Sequence, residues 1–317
     1  MSRGLSPRDV AFYLRGRLTR QLTRLATARD RTPPVVPVPV DEVIRGVRSP
    51  QALTPLLEGR SNADREAAVA RYLRARSIPF SVHRFASAEG SGENFSVDVG
   101  AGARVLLLAA HHDAVDRSPG ANDNAAAVGI LLSLIERLAA APPSTLRLRF
   151  LFTAAEERGY LGARHYARDT QVGELAGVLS LELCGIGDSV VIWDAGEETP
   201  LLRTVGSALE GIGLARDRRY HVVGRIPMFG SDHRAFAPLG VPAYGFTLVP
   251  SANADALRQF VFSPVKSALR HLIRRPVPFD TYHTPRDRGS TLEPPALALA
   301  LQALEAVIGA TAQAGLR

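Results

Sequence analysis

The 317-residue sequence has one cysteine, Cys184, and one lysine, Lys266. A single thiol excludes an intrachain disulfide, which fits a reducing compartment. The remaining basic residues are arginines, and they are spread along the whole chain. The net charge is +7, but no basic stripe is interleaved with aromatic residues, and no nucleic-acid-binding motif accompanies the charge. The sequence therefore predicts no nucleic-acid partner.

Long apolar runs are missing as well. No stretch of 18 or more apolar residues occurs in the sequence, so it predicts no transmembrane segment. The N-terminal stretch MSRGLSPRDVAFYLRGRLTRQLTRL has arginines where a secretory signal needs an apolar centre. Hydrophobic residues make up 46% and charged residues 22% of the chain, an ordinary globular composition. We therefore expect a cytoplasmic protein.

The first 40 residues differ from the rest. Residues 6–29 show leucines at helical spacing and arginines on the other faces, which predicts an amphipathic helix. We favour a helix packed on its own domain or in a homo-oligomer over one lying on a membrane or a partner. The stretch TPPVVPVPV at 32–40 predicts a stiff linker, because its four prolines fix extended geometry. We expect residues 1–40 to form this helix and linker, and residues 41–317 to form a single domain.

Helical and strand patterns alternate after the linker. Helices are predicted at 62–78 and 124–140, and several strand-like runs are apolar throughout, which is typical of strands buried on both faces. These strand-like runs are FSVHRF, ENFSVDV, ARVLLLAA, STLRLRFLFTAA and LAGVLSLELCG. We expect an α/β fold with a mixed, mostly parallel central β-sheet sandwiched between helices.

Metal-binding residue types follow the predicted strands. His111 ends one apolar run, the pair at 156–157 ends a second and Glu182 ends a third. Ligand sites of such sheets lie beyond the carboxyl ends of the strands. Asp123 is predicted in a loop just before a helix and His283 in a turn, so both can reach the same edge. The sequence therefore predicts a metal site there.

The spacing of these residues indicates chemistry. His111 and Asp113 point the same way on an extended strand end, whereas His112 points oppositely. Near a metal, two adjacent glutamates divide into one ligand and one general base, although the dipeptide does not tell which is which. Two imidazoles and three ligating carboxylates nearly balance two divalent ions that share a hydroxide. Such ligands suit zinc, with Co²⁺ or Mn²⁺ as substitutes.

Six short motifs occur in a defined order between residues 111 and 286. They are HHD, GANDNA, EERG, LELC, SDH and YHTPRD. In this order they resemble the co-catalytic dizinc exopeptidases of peptidase family M28, which include aminopeptidases, glutamate carboxypeptidase and glutaminyl cyclases. The resemblance implies a zinc-exopeptidase fold and makes residues 41–317 a metallopeptidase catalytic domain.

The resemblance also implies a role for each matching residue. Glu156 becomes the general base and Asp113 the residue that orients His111. The two zinc ions are then held by five ligands, with the carboxylate at 123 bridging them: His111, Asp123, Glu157, Glu182 and His283. His233 of the SDH motif is expected to contact substrate or structure rather than metal.

Glu182 departs from the family pattern, which has aspartate at this position. In related dizinc enzymes a glutamate there accompanies carboxypeptidase or deacylase activity more often than aminopeptidase activity. The sequence still favours an aminopeptidase acting on a peptide or small amide. The alternative is a carboxypeptidase or amide deacylase, for which Arg225 and Arg234 are candidate binders of a substrate carboxylate. A glutaminyl cyclase with one zinc and a non-catalytic binding module are less favoured.

Overall fold

The computed structural model describes residues 30–226, 230–255 and 275–314. The predicted helix at 6–29 lies outside these residues. The Pro-rich segment lies along the surface of the following domain, where Arg60 donates a hydrogen bond to the carbonyl of Val38. Val38 and Val40 also pack against the core.

One sheet forms the centre of the described protein. Its eight strands run in the order β1-β2-β4-β3-β5-β8-β6-β7. The pairs β3–β4, β3–β5, β5–β8 and β6–β7 are parallel, and the other three pairs are antiparallel. The strands are β1 (Ser81–Ser87), β2 (Gly90–Val99), β3 (Val105–His111), β4 (Arg147–Thr153), β5 (Leu175–Glu182), β6 (Ser189–Trp193), β7 (Tyr220–Val222) and β8 (Ala243–Val249).

Helices cover this sheet. The helices that the structure describes are α1 (Val40–Arg45), α2 (Pro50–Leu53), α3 (Asn62–Ala75), α4 (Ala126–Leu138), α5 (Leu161–Asp169), α6 (Pro200–Gly211) and α7 (Pro294–Ala314). By length and composition α7 could cross a membrane, but half of its apolar window is buried inside the protein. It packs on α6 and α4, as the core helix of a globular domain does.

The central strands are buried on both faces. Leu106 and Leu108 of β3 belong to the larger core cluster, together with the apolar residues of α4. Leu107 lies in the second cluster, with Ala163 of α5. Since successive strand residues point to opposite faces, an unbroken apolar run is what a strand between two helical layers requires. The predicted mixed, mostly parallel sheet between helices is confirmed.

This topology brings four strand ends to one edge. Strands β4, β3, β5 and β8 are neighbours and run parallel, so their carboxyl ends lie side by side. His111 ends β3 and Glu182 ends β5. The fold therefore brings the strand-end residues singled out in the sequence to a common edge.

Candidate metal centre

The His111 imidazole lies at the centre of one cluster of ligand atoms. Its side chain is buried, and its Nε2 lies 3.2 Å from Asp123 Oδ1 and 3.3 Å from Glu182 Oε1. Its Nδ1 lies 3.0 Å from the backbone carbonyl oxygen of Asp113. Because that contact orients the ring, Nε2 faces the two carboxylates.

A second cluster lies on the other side of the same aspartate. The Nε2 atom of His283 is 3.2 Å from Asp123 Oδ2 and 3.1 Å from both carboxylate oxygens of Glu157. The two oxygens of Asp123 therefore face different imidazoles. Asp123 occupies the bridging position between the two clusters.

A distorted turn presents Asp123. The turn Ala121–Ala125 precedes α4, and Asp123 has φ −117° and ψ 83°, outside helical geometry. The carboxylate of Asp287 accepts hydrogen bonds from the backbone N–H groups of Asn122 at 2.7 Å and Asp123 at 3.0 Å. The amide of Asn124 donates to the carbonyl of Leu181 in β5. These bonds fix the turn to the sheet and to the loop that carries His283.

The Asp113 carboxylate holds the glutamate pair. Its Oδ1 accepts the backbone N–H of Glu156 at 2.9 Å and its Oδ2 accepts that of Glu157 at 3.2 Å. Its distance to His111 Nδ1 is longer, 3.5 Å. The residue predicted to orient His111 thus makes its shorter side-chain contacts with the turn that presents both glutamates.

Glu182 is held by hydroxyl groups. Ser231 Oγ donates to Glu182 Oε1 at 2.8 Å, and the hydroxyls of Ser180 and Ser231 are 2.7 Å apart. His233, two residues further on, has its Nε2 3.0 Å from Asp194 Oδ2. It lies in a different contact network from the five clustered residues.

Burial shifts the titration of the cluster. Burial raises the pKa of Glu156 well above its usual value, that of Glu157 to about 7, and also that of Glu182. Burial opposes the charged form of His111 and His283, but the surrounding carboxylates outweigh it. The pKa of His111 is therefore raised well above its usual value and that of His283 to about 10. The three glutamates therefore need cations beside them to stay ionised at neutral pH.

Comparison with known proteins identifies the family. The model of peptidase family M28 matches residues 95–308, about two thirds of the chain. This chain belongs to peptidase family M28. The family is one of metallopeptidases, and peptides are the substrate class that it implies.

Individual relatives are similar over parts of the chain. The probable lipoprotein aminopeptidase LpqL of Mycobacterium tuberculosis is 33% identical over 109 residues, which cover 33% of this chain and 22% of that protein. The aminopeptidase YwaD of Bacillus subtilis is 38% identical over 71 residues, which cover 22% of this chain and 15% of that protein. The chain thus spans less than a quarter of the length of these two curated relatives.

Solved structures share the fold. A zinc aminopeptidase from Bacillus subtilis matches with a TM-score of 0.55 and 21% identity, over 69% of this chain and 50% of that chain. A glutaminyl cyclase from an Acidobacteriales bacterium matches with a TM-score of 0.62 and 19% identity, over 94% of this chain and 95% of that chain.

The donor set of this M28 chain fits metal ions. His111 Nε2 is buried and has no hydrogen-bond partner in the described part of the chain. The separations of 3.1 to 3.3 Å between imidazole and carboxylate atoms match the edge of a ligand tetrahedron, about 3.3 Å for bonds of about 2.0 Å to zinc. Nitrogen and carboxylate oxygen are ligands that zinc takes. Zinc is the metal that the family implies.

An apolar cleft adjoins Glu182. It offers about 440 Å³ of space, counting the part open to solvent. Tyr282 stacks on the neighbouring His283 at 3.7 Å between ring centroids, so the cleft opens beside the second cluster. The described residues that line it are Glu182, Leu183, Trp193, Ile226, Gly230, Thr247, Phe279 and Tyr282.

The structure also adds residues that the sequence analysis did not assign to the site. Asp287 lies in the YHTPRD motif, four residues after His283, so the sequence indicates that it is near a candidate ligand. The sequence does not show its hydrogen bonds to the 121–125 turn. Ser231 likewise belongs to a motif singled out in the sequence, SDH, but its hydrogen bond to Glu182 is visible only in the structure. Arg65 lies in α3, and no local pattern sets it apart from the other arginines of that helix.

Proposed function

We propose that this chain is an aminopeptidase that binds two zinc ions. The supporting observation is that each oxygen of Asp123 lies 3.2 Å from the Nε2 atom of a different histidine, and that each histidine also lies within 3.3 Å of its own glutamate. His111 and Glu182 would complete one ligand set, and Glu157 and His283 the other. Bound zinc would polarise the scissile carbonyl and lower the pKa of the attacking water.

Glu156 is the general base of this proposal. Potential ligand atoms of His111, Glu156 and Glu182 all lie within 4.8 Å of one another. The Glu156 carboxylate is therefore next to two of the proposed ligands. Burial raises its pKa, which suits a group that takes a proton from water and then gives it to the leaving amine. Asp113 holds the backbone of Glu156 in place for both transfers.

The two arginines that could bind a substrate carboxylate differ in their surroundings. Arg234, one candidate for binding a carboxylate, donates to Asp194 at 2.5 and 2.9 Å and to the carbonyl of Ile226. Its charge is therefore already neutralised within the protein. Arg225 is exposed, so it is the remaining candidate for binding a substrate carboxylate in the carboxypeptidase alternative. With one candidate already paired inside the protein, we favour an aminopeptidase, the activity named for two curated relatives.

The apolar cleft supports a preference for bulky apolar side chains. Trp193, Phe279 and Tyr282 line it next to Glu182. Filling such a cleft with a leucine or phenylalanine side chain removes apolar surface from water, and each buried CH₂ contributes about 0.8 kcal/mol. We therefore expect N-terminal leucine or phenylalanine to be cleaved faster than N-terminal alanine, glycine or aspartate.

A panel of short peptides tests the proposal. Each peptide carries a free or acetylated N-terminus and a free or amidated C-terminus, and mass spectrometry follows trimming by zinc-loaded protein against a chelator-treated control. Trimming only from free N-termini is the expected result. Trimming only from free C-termini would replace it with a carboxypeptidase.

Glutaminyl cyclase activity is the second candidate. The match to the Acidobacteriales glutaminyl cyclase covers 94% of this chain and 95% of that chain, whereas the match to the Bacillus subtilis zinc aminopeptidase covers 69% and 50%. A peptide with N-terminal glutamine in the same panel distinguishes the two. Loss of ammonia without loss of a residue indicates cyclisation, and one bound zinc per chain in place of two supports it.

A further inference from the structure

Arg65 is a buried cation close to the metal centre. It lies in the first turn of α3, outside the residues matched by the family model, and its side chain is fully buried. Its guanidinium donates to four backbone carbonyls. These are Arg60 at 3.4 Å, His112 at 3.3 Å, Pro119 at 2.5 Å and Gly120 at 3.3 Å. Arginines are almost never fully buried unless paired, so this position calls for a specific role.

Three of these carbonyls belong to the 112–120 loop. The loop begins directly after His111 and ends directly before the turn that holds Asp123. One guanidinium therefore binds both ends of the segment between two candidate ligands. Asn62, also in the first turn of α3, reinforces the contact by exchanging two hydrogen bonds with the backbone of Ala114, at 2.9 and 3.0 Å.

The backbone of the loop is shaped around this guanidinium. Gly120 has φ +65°, a conformation that glycine adopts without strain. A Cβ atom at this position would lie 2.3 Å from Arg65 Nη2. Both the backbone angle and the close approach of the arginine therefore require glycine at 120.

Arg65 also faces the acidic cluster. Burial lowers its pKa, and four carboxylates act against that shift: Asp113, Asp287, Asp123 and Glu157. Among the described residues, none of its hydrogen bonds goes to these carboxylates. Its planar fork instead binds the backbone that carries them, a geometry that a lysine ammonium cannot reproduce.

We propose that Arg65 is a positioning residue for the metal centre, clamping both ends of the 112–120 loop so that His111 and Asp123 are held in ligand geometry. The inference rests on the proposed zinc site. Arg65 is buried behind the loop and needs no contact with substrate. Partners that orient metal ligands change affinity by roughly 10- to 100-fold when they are removed.

Zinc affinity of the folded protein tests this role. Wild type, Arg65→Lys and Arg65→Met are titrated with zinc against a chromophoric chelator, and their folding is checked by circular dichroism. Arg65→Met is expected to bind zinc roughly 100-fold more weakly, and Arg65→Lys, which keeps the charge without the fork, roughly 10-fold more weakly. The control Arg71→Met removes an exposed arginine of the same helix that pairs with Asp41 at 2.7 Å, and it should bind zinc like wild type.

The outcomes separate the two proposals. If wild type binds no zinc, the proposed function fails. If wild type binds zinc and Arg65→Met binds it equally well, Arg65 is structural only and the inference alone fails. Tighter binding by Arg65→Met would show that removing a repulsive charge outweighs the clamp, which also overturns the inference. If Arg65→Met does not fold, the zinc affinity of Arg65→Lys is compared with that of wild type instead. Weaker binding then supports the inference, and equal or tighter binding overturns it.

Discussion

Glu156 and Glu157 are adjacent and chemically identical, yet their surroundings differ. Glu157 faces His283 at 3.1 Å, whereas Glu156 lies on the side of His111 and Glu182. Asp113 holds the backbone N–H groups of both. Glu157 makes a 3.1 Å contact with an imidazole, whereas Glu156 is placed only within 4.8 Å of His111. This difference is our reason for proposing different roles for them, which the dipeptide alone could not provide.

Replacing Glu156 by glutamine tests the general-base assignment. Glu156→Gln keeps the size of the side chain but cannot accept the proton, so kcat should fall by roughly 10²- to 10⁴-fold. Zinc content, measured by elemental analysis, should stay at the wild-type value. The control Glu305→Gln changes a glutamate on α7 that pairs with Arg137 at 2.9 Å and should keep wild-type kcat. Near-normal turnover by Glu156→Gln would contradict the assignment.

The residues of the site differ in how far the sequence could predict them. His111 and Glu182 end apolar runs, and a buried strand that stops in a metal-binding residue is visible without a structure. The contact between Arg65 and the 112–120 loop joins residues 47 to 55 positions apart. That between Asp287 and Asn122 spans 165 positions. No local pattern encodes such pairs, because they arise only when the sheet assembles.

The end of β6 organises the wall of the apolar cleft. Asp194, directly after this strand, accepts hydrogen bonds from the backbone N–H of Ile226 and from the side chains of His233 and Arg234. The His233 ring lies edge-on to Trp193 at 4.7 Å between centroids. One carboxylate thus holds the segments on which the cleft wall packs.

Asp194→Asn should destabilise the protein in a pH-dependent manner. Burial opposes ionisation of Asp194, but His233 and Arg234 outweigh it and lower its pKa well below the ordinary 3.8. The stabilisation is therefore complete above pH 3.8 and is lost as the pH falls toward the folded-state pKa. Breaking a buried ion pair costs roughly 3–5 kcal/mol.

Urea unfolding at pH 7, 5 and 3.5 measures this effect. The difference in free energy of unfolding between wild type and Asp194→Asn should be equal at pH 7 and 5 and smaller at pH 3.5. Asp41→Asn, which removes an exposed carboxylate that pairs with Arg71, should change stability by less than about 1 kcal/mol. A difference that does not change with pH would show that ionised Asp194 contributes nothing.

Strands β6 and β8 fit together through a glycine. Gly245 lies opposite Trp193 in the antiparallel pair, and a Cβ atom there would lie 2.0 Å from the indole ring. Gly245→Ala must push the ring away, so it should cost roughly 1–3 kcal/mol of stability and reduce the preference for leucine over alanine substrates.

Gly309→Ala is the matched control, because its Cβ would meet nothing within 4 Å on helix α7. It should stabilise the protein by up to about 1 kcal/mol. A stable Gly245→Ala with unchanged selectivity would contradict the packing argument.

The strands differ in how well the sequence predicts them. Strands β3, β4 and β5 were predicted because their apolar runs are long and end in polar motifs. Strands β6 to β8 and helix α6 were not predicted, although β8 is buried throughout and lies between β5 and β6. β7 has three residues, too few to show a period. Their pairing is decided by the sheet as a whole rather than by local sequence.

The proposed ligands come from five separate points of the chain. Residues 111, 123, 157, 182 and 283 belong to a strand end, a distorted turn, a short turn, a second strand end and a late loop. An ion bound by such ligands adds a further link between segments that the core and the hydrogen bonds of Asp113, Asp287 and Asn124 already join. Binding energy at the site therefore becomes folding energy of the whole domain.

Metal removal should lower the thermal stability of the whole protein. At a free zinc concentration 100 times the Kd, each of the two proposed ions adds about 2.7 kcal/mol, so chelation should lower the Tm by roughly 5–10 °C. Differential scanning calorimetry of zinc-loaded and EDTA-treated protein measures the shift. In Asp123→Asn both ligand sets lose the bridging carboxylate, and the same treatment should shift the Tm by less than about 2 °C. If EDTA leaves the wild-type Tm unchanged while the protein contains zinc, the metal does not couple these segments, and their arrangement must come from the protein contacts alone.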